Sequence, residues 1–243
     1  MNINKIELKR GHFNDEIAEL IGIIYGDGNL FADKKNGTYR INITGNKETD
    51  FKYLTEHVSK LFERNFNIKP KVWVYRYRKA IALNVYSKKL LGYFINLGLK
   101  IGSKKNLQIP KIIFKNKKHK ARFLRGLLDT DFCLYFRRRG KINSYPRVIS
   151  MFSDLNFVNK LKTLFYDFNI RLNVYEHMTK FDNKEYQQYG VEISGKENLN
   201  KIIKDIEFKN ENHIIKFKLW KRDGFCKPHL NLQNRRELLN NKI

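Results

Sequence analysis

Cysteine is scarce in this chain. Cys133 and Cys226 are the only two in 243 residues, too few for a disulfide framework and without the close pairs a zinc site needs. A reduced compartment follows. Acid is also in short supply: 24 Asp and Glu face 49 Lys and Arg, a net charge of +25. Such an imbalance excludes a neutral surface and favours a polyanionic partner, of which nucleic acid is the commonest and a membrane surface the weaker alternative. No stretch approaches ~18 uninterrupted apolar residues, so no spanning helix is expected. The opening MNINKIELKR has no apolar core of a secretory signal, which implies an intracellular protein, cytoplasmic or organellar. Apolar material is nevertheless plentiful, with 42% hydrophobic and 14% aromatic residues. The length therefore suffices for one large or two small folded domains.

The most informative feature is a repeat. Leu20 to Gly28 reads LIGIIYGDG, and Leu124 to Phe132 reads LRGLLDTDF. Gly22 and Gly126 are 104 positions apart, and so are Asp27 and Asp131. Small residues one turn apart (Gly22 and Gly26, then Gly126 and Thr130) let two helices approach closely and bring their C-terminal ends together. The aspartates then sit where the helix dipole disfavours an anion, and two such carboxylates in proximity repel. A compensating cation is implied, and hard oxygen ligands beside a phosphate point to Mg²⁺, with Mn²⁺ as a substitute. Asp129 is read as structural, since it and Asp131 cannot point at one spot.

Other segments recur at a similar offset. Ile68 to Tyr75 (IKPKVWVY) matches Ile170 to His177, and RINIT at Arg40 to Thr44 matches Arg147 to Ser150. The first two segments alternate with period two, as strands do. Phe51 to Arg64 and Phe157 to Phe168 carry apolar residues at helical spacing. Each half therefore reads helix, two strands, helix, two strands, helix, an α+β unit with helices on one face of an antiparallel sheet. The halves are expected at 1–115 and 116–243, the second with a basic tail.

These residues resemble the LAGLIDADG homing endonucleases in the monomeric form with two motif copies in one chain, over roughly residues 14 to 219. The second copy departs at its last position, where Phe132 replaces glycine. Glycine there tolerates positive φ and close backbone approach. Phe132 should either force a different helix exit or begin the strand FCLYFRRR directly. The resemblance implies two pseudo-symmetric αββαββα subdomains, motif helices packed at the central interface, and a saddle of strands over DNA. It further implies a metal-dependent double-strand cut in a long DNA site, with Asp27 and Asp131 as metal ligands. A basic residue near the scissile phosphate falls at Lys104, with Lys105 a rival, and at His213 in the second half. Asn46, after RINIT, is placed to orient water.

On such a sheet the face away from the helices is free. Ile41, Ile43, Val72 and Val74 should point to the helices. Arg40, Asn42, Thr44, Lys69, Lys71, Trp73, Tyr75 and Tyr77 should then face out. The second-half set is Tyr135, Arg137, Arg139, Arg147, Arg171, Asn173, Tyr175 and His177. Arg, Lys, Asn and Tyr in alternation suit a β-ribbon that reads base edges and clasps phosphates. The tail helix, Leu230 to Asn240, is expected to be either a clamp on the DNA backbone or a packed terminus.

Two other readings compete. One is a catalytically reduced maturase that binds intron RNA, or a DNA-binding regulator. The other is a basic structural protein of a ribosome-like particle, which would not explain the paired motif helices. No splice-junction residues stand at either end, which speaks against a protein-splicing element while leaving room for an endonuclease region within a longer product.

Overall fold

The computed structural model describes residues 13–104, 106–182 and 184–241. The chain divides into two compact units, Met1–Thr130 and Asp131–Ile243. The first begins with helix α1 (Asp15–Gly26), strands β1 (Gly28–Asp33) and β2 (Thr38–Asn46), then a π-helical turn Tyr53–Val58 running into α2 (Ser59–Phe66). Strands β3 (Lys71–Val74) and β4 (Ala80–Tyr86) follow, then α3 (Lys88–Asn96), a 3₁₀ turn Lys111–Lys115 and α4 (Lys117–Thr130). The second unit holds β5 (Cys133–Arg139), β6 (Ile142–Phe152), α5 (Leu155–Tyr166), β7 (Asn173–Phe181) and β8 (Lys184–Ser194). Helix α6 (Lys196–Lys201), a π-helical turn Ile202–Ile206, α7 (Glu211–Asp223) and α8 (Leu232–Asn240) complete it. The α+β class and the αββαββα order of the halves are as expected. Helix α4 belongs to the first unit because it packs along α1.

Short polar residues start the helices. Asn14 accepts from the Ile17 N–H at 2.9 Å, Ser87 from Leu90 at 3.0 Å and Asn210 from Asn212 at 3.0 Å, while Asp154 accepts from Asn156 and Phe157. Each cap satisfies an N–H that the first turn cannot pair internally.

Both sheets are antiparallel, in the orders β1-β2-β4-β3 and β5-β6-β8-β7. In the first sheet, register aligns Leu30, Ile41 and Val85 on one side, and Ile43 with Leu83; all are buried. Helices pack under β1, β2 and β4. The outermost strand β3 lies beyond this cover. Val72 and Val74 pair with Leu83 and Ile81 and so share the helix side, yet they remain 45% and 54% exposed. The expected direction of these valines holds, but on the outermost strand it does not bring burial.

In the second unit Leu134, Phe136, Val148, Val191 and Ile193 form the buried side of the sheet. Phe132 joins them, its ring 5.9 Å from Phe152 and 6.1 Å from Phe165, and β5 opens at the next residue. Of the two outcomes allowed for Phe132, direct entry to the strand is the one realised. Its counterpart Gly28 opens β1 without a left-handed φ. Glycine serves there because a Cβ would stand 2.4 Å from the Ile24 Cα.

The C-terminal helix is a packed terminus. Arg236 pairs with Glu211 at 2.7 Å, Arg235 donates to Asn212 at 2.8 Å, and Arg222 of α7 donates to the carbonyls of Leu238 and Leu239.

Candidate metal and nucleic-acid site

Helices α1 and α4 meet backbone to backbone. A Cβ on Gly22 would lie 2.1 Å from the Phe123 carbonyl oxygen, and one on Gly126 would lie 2.2 Å from that of Glu19. Two glycines thus serve each other's helix. Beside this contact Glu19 is 1% exposed. Its carboxylate takes His57 Nε2 at 2.6 Å, Arg125 Nε at 3.4 Å and Arg122 Nη1 at 3.6 Å. Tyr25, one residue from the end of α1, packs edge-on to Phe123 and donates to the Gln108 carbonyl at 2.8 Å. This ties the segment after α3 to the end of α1.

Asp27 caps α1: its N–H reaches the carbonyls of Ile23 and Ile24, and its own carbonyl accepts from Thr44 at 3.1 Å. The side chain is half-buried. Asp131 follows directly on Thr130, the last residue of α4, and is half-buried as well. The Lys104 ammonium donates to the carbonyl of Gly26, the residue before Asp27, which sets it at the end of α1. Lys105 lies outside the described residues. The phenol of Tyr53 is pushed well above its ordinary pKa, first by burial and then by the charges of Asp129, Glu19, Asp27 and Asp50. The fields of these four carboxylates therefore meet at the buried Tyr53 ring, in a chain that is otherwise strongly basic. Among the described residues no cluster of three or more His, Cys, Asp or Glu stands ready to hold a metal ion.

Asn46 ends β2 in a turn. Its side-chain oxygen accepts from the Glu48 N–H at 2.8 Å while its own N–H donates to Asp50 at 2.8 Å. His213 requires a correction. It lies on α7 in the core of the second unit, 4% exposed and packed on Phe208. Burial, then the charges of Lys216 and Arg235, hold its pKa down at about 3. A neutral, buried ring of this kind does not reach a phosphate.

The open face of the first sheet carries the expected side chains and some that alternation in RINIT did not supply. One row across all four strands is Asn29, Asn42, Asn84 and Lys71; another is Phe31, Arg40 and Tyr86; a third is Thr44, Ala82 and Trp73. Asn42 donates to Asn84 at 2.9 Å and accepts from Thr44 at 2.9 Å. Arg40 lies over Phe31, and Lys71 over Tyr86. Asn29, Phe31, Asn84 and Tyr86 escaped notice, although Leu30 in β1 and Ile81, Leu83 and Val85 in β4 mark the alternation. Tyr75 and Tyr77 are exposed past the end of β3, and Lys69 precedes it.

On the second sheet Tyr135 pairs with Arg147, which pairs with Ser194, and Asn173 pairs with Glu192. His177 pairs with Gln188, and Tyr175 pairs with Gly190. Arg137 is exposed opposite Tyr145. A bulge between Arg137 and Arg138 breaks the alternation. Arg139 then lies over Tyr145 and lines a pocket of ≈ 490 Å³ with Pro146, Lys196, Trp220 and Lys221. It departs in this from the outward row. Arg171 is exposed just before β7.

No protein-family model matches the chain. It is 29% identical over 204 residues to the replication factor C small subunit of Methanocaldococcus jannaschii, a match covering 84% of this chain and 10% of that protein. It is also 29% identical over 126 residues to the homing endonuclease I-DmoI of Desulfurococcus mucosus, 48% of this chain and 58% of that one. The chain thus spans less than two thirds of either relative. Among solved structures, a mesophilic variant of I-DmoI superposes with a TM-score of 0.56 at 20% identity, over 79% of this chain and 95% of that one. The LAGLIDADG homing endonuclease I-LtrWI, bound to its target DNA, superposes with a TM-score of 0.52 at 10% identity, over 94% and 98%. The chain has the fold of the LAGLIDADG homing endonucleases, in the form that carries both motif copies in one chain.

Proposed function

We propose that this protein is a site-specific DNA endonuclease, a monomer that hydrolyses both strands of a long duplex target with Mg²⁺. The observation that carries the reading is the reciprocal glycine contact of α1 and α4, two helices each followed at once by an aspartate. The relatives support it: solved I-DmoI complexes contain DNA with Ca or Mn. Asp27 and Asp131 would be the ion's protein ligands. Two carboxylates fit Mg²⁺, which characteristically takes one or two and fills its shell with water and phosphate oxygens. A bound divalent ion supplies Lewis-acid polarisation of the phosphate and an acidified water. Lys104, on the Gly26 carbonyl beside Asp27, would stabilise charge that develops on the phosphate. The two sheets would present their Asn, Arg, Lys and Tyr rows to the duplex.

The test is cleavage of a genomic or randomised duplex library with Mg²⁺. Wild type should cut at one long site. Asp27→Asn and Asp131→Asn should bind that site but slow cutting by about two orders of magnitude or more, the effect of several kcal/mol on the barrier. Lys104→Met should cost less. DNA binding with no cleavage in Mg²⁺ or Mn²⁺ would overturn the proposal.

A further inference from the structure

The open face of the second sheet carries a carboxylate where a DNA-facing surface least favours one. Glu192 lies in register with Ile149 on one side and Asn173 on the other, and its side chain is 12% exposed. A negative charge at that place repels phosphate. Its partner is Arg147, a diagonal neighbour, since Arg147 is paired with Ser194 two residues along β8. Long side chains reach across such a diagonal. Arg147 donates through Nη2 to Glu192, and its guanidinium carbon stands 5.8 Å from the centroid of the Tyr135 ring. A carboxylate thus holds one edge of a planar fork and an aromatic ring holds its face.

That arrangement suits a specific task. A guanidinium can fork onto a phosphate as well, but phosphate oxygens accept from many directions, set no single plane for the fork and carry no sequence information. Reading guanine needs two N–H groups held in the plane of O6 and N7. We infer that Glu192 is a positioning residue: it fixes Arg147 over Tyr135 so that the fork reads one guanine in the target. The inference rests on the DNA-binding reading above. Glu192 gives up some general attraction to DNA and converts Arg147 from a phosphate contact into a base contact.

The experiment selects bound duplexes from a randomised library with wild type, Glu192→Gln and Arg147→Lys, followed by affinity measurements on the selected site and its single-base variants over a range of salt. Glu192→Gln should flatten the preference at one base pair, where wild type favours guanine by about 5- to 150-fold. Its affinity for unrelated DNA should hold or rise. Arg147→Lys should flatten the same position. Unchanged discrimination in Glu192→Gln, or flattening at a different position from Arg147→Lys, would overturn the inference. So would an equal loss at every position, which marks damage to the sheet. If wild type itself shows no sequence preference, the DNA-reading function fails and this inference with it.

Discussion

Gly22 and the Phe123 carbonyl are so close that a single methyl group has no room between them: an added Cβ would stand 2.1 Å from the oxygen. The obstacle is backbone, which cannot swing aside as a side chain would. Gly22→Ala, and equally Gly126→Ala against Glu19, should part α1 from α4. The loss should be about 3 kcal/mol or more, at the severe end of overpacking. Chemical denaturation checks it, and a variant of wild-type stability would contradict the close approach.

Glu19 and Arg125 are a buried pair at 1% and 2% side-chain exposure. Removing the acid takes a buried carboxylate away from His57, Arg122 and Arg125 at once, so Glu19→Ala should cost about 3–5 kcal/mol. Replacing both with apolar residues of similar volume, Glu19→Leu with Arg125→Met, should recover most of that loss. A double-mutant cycle measures it; additive losses would show that the pair is not coupled.

Gly190 leaves space that the Tyr175 ring fills, lying 2.2 Å from where a Cβ would be. Gly190→Ala should tip that ring off β8 while the core residues Val191 and Ile193 stay buried. The expected result is weaker DNA binding, roughly the 1–3 kcal/mol of a lost contact to a base edge, with little change in melting temperature. A variant that binds DNA like wild type would separate Tyr175 from recognition.

His213 makes the second unit acid-sensitive. Its folded-state pKa of about 3 lies below the value of an unfolded histidine, so the unfolded chain takes up the proton first. Stability is complete above the unfolded value near 6.5 and falls as pH drops from there toward 3. His213→Phe, which keeps an aromatic ring against Phe208, should flatten that slope. Denaturation midpoints at pH 7 and pH 4 read it directly; the same slope in both proteins would place the titrating group elsewhere.

The residues differ in how openly they declare their places. Ile41 and Ile43 do so plainly, because β2 has one covered face and alternation suffices. β4 does so less plainly: Ala82 on the open face is apolar like Ile81 and Leu83 beside it, so the strand starts as a continuous apolar run although Ile81, Leu83 and Val85 keep the alternation. Its Asn84 therefore passed unseen. Val72 and Val74 obey the alternation yet stay exposed, since burial depends on where the helices end and local sequence is silent about that. The same holds for His213, which became a core residue because α7 turns it inward against Phe208. Glu192 stands in a strand whose alternation of Val191 and Ile193 with Gly190, Glu192 and Ser194 was there to be read. Asp27 and Asp131 were marked by repetition, a signal that owes nothing to propensity.

The bare outer edge at β3 has a consequence for how the protein behaves in bulk. Val72, Trp73 and Val74 lie on a strand that pairs with β4 on one side only and carries apolar side chains, the kind of edge on which copies of a chain can line up. Lys71 and the excess positive charge keep such copies apart. That repulsion reaches about 10 Å at 0.1 M salt and about 3 Å at 1 M. The salt that would free this protein from the proposed DNA target would also remove its defence against self-association, so its handling should be safest when a polyanion, rather than brine, occupies its surface.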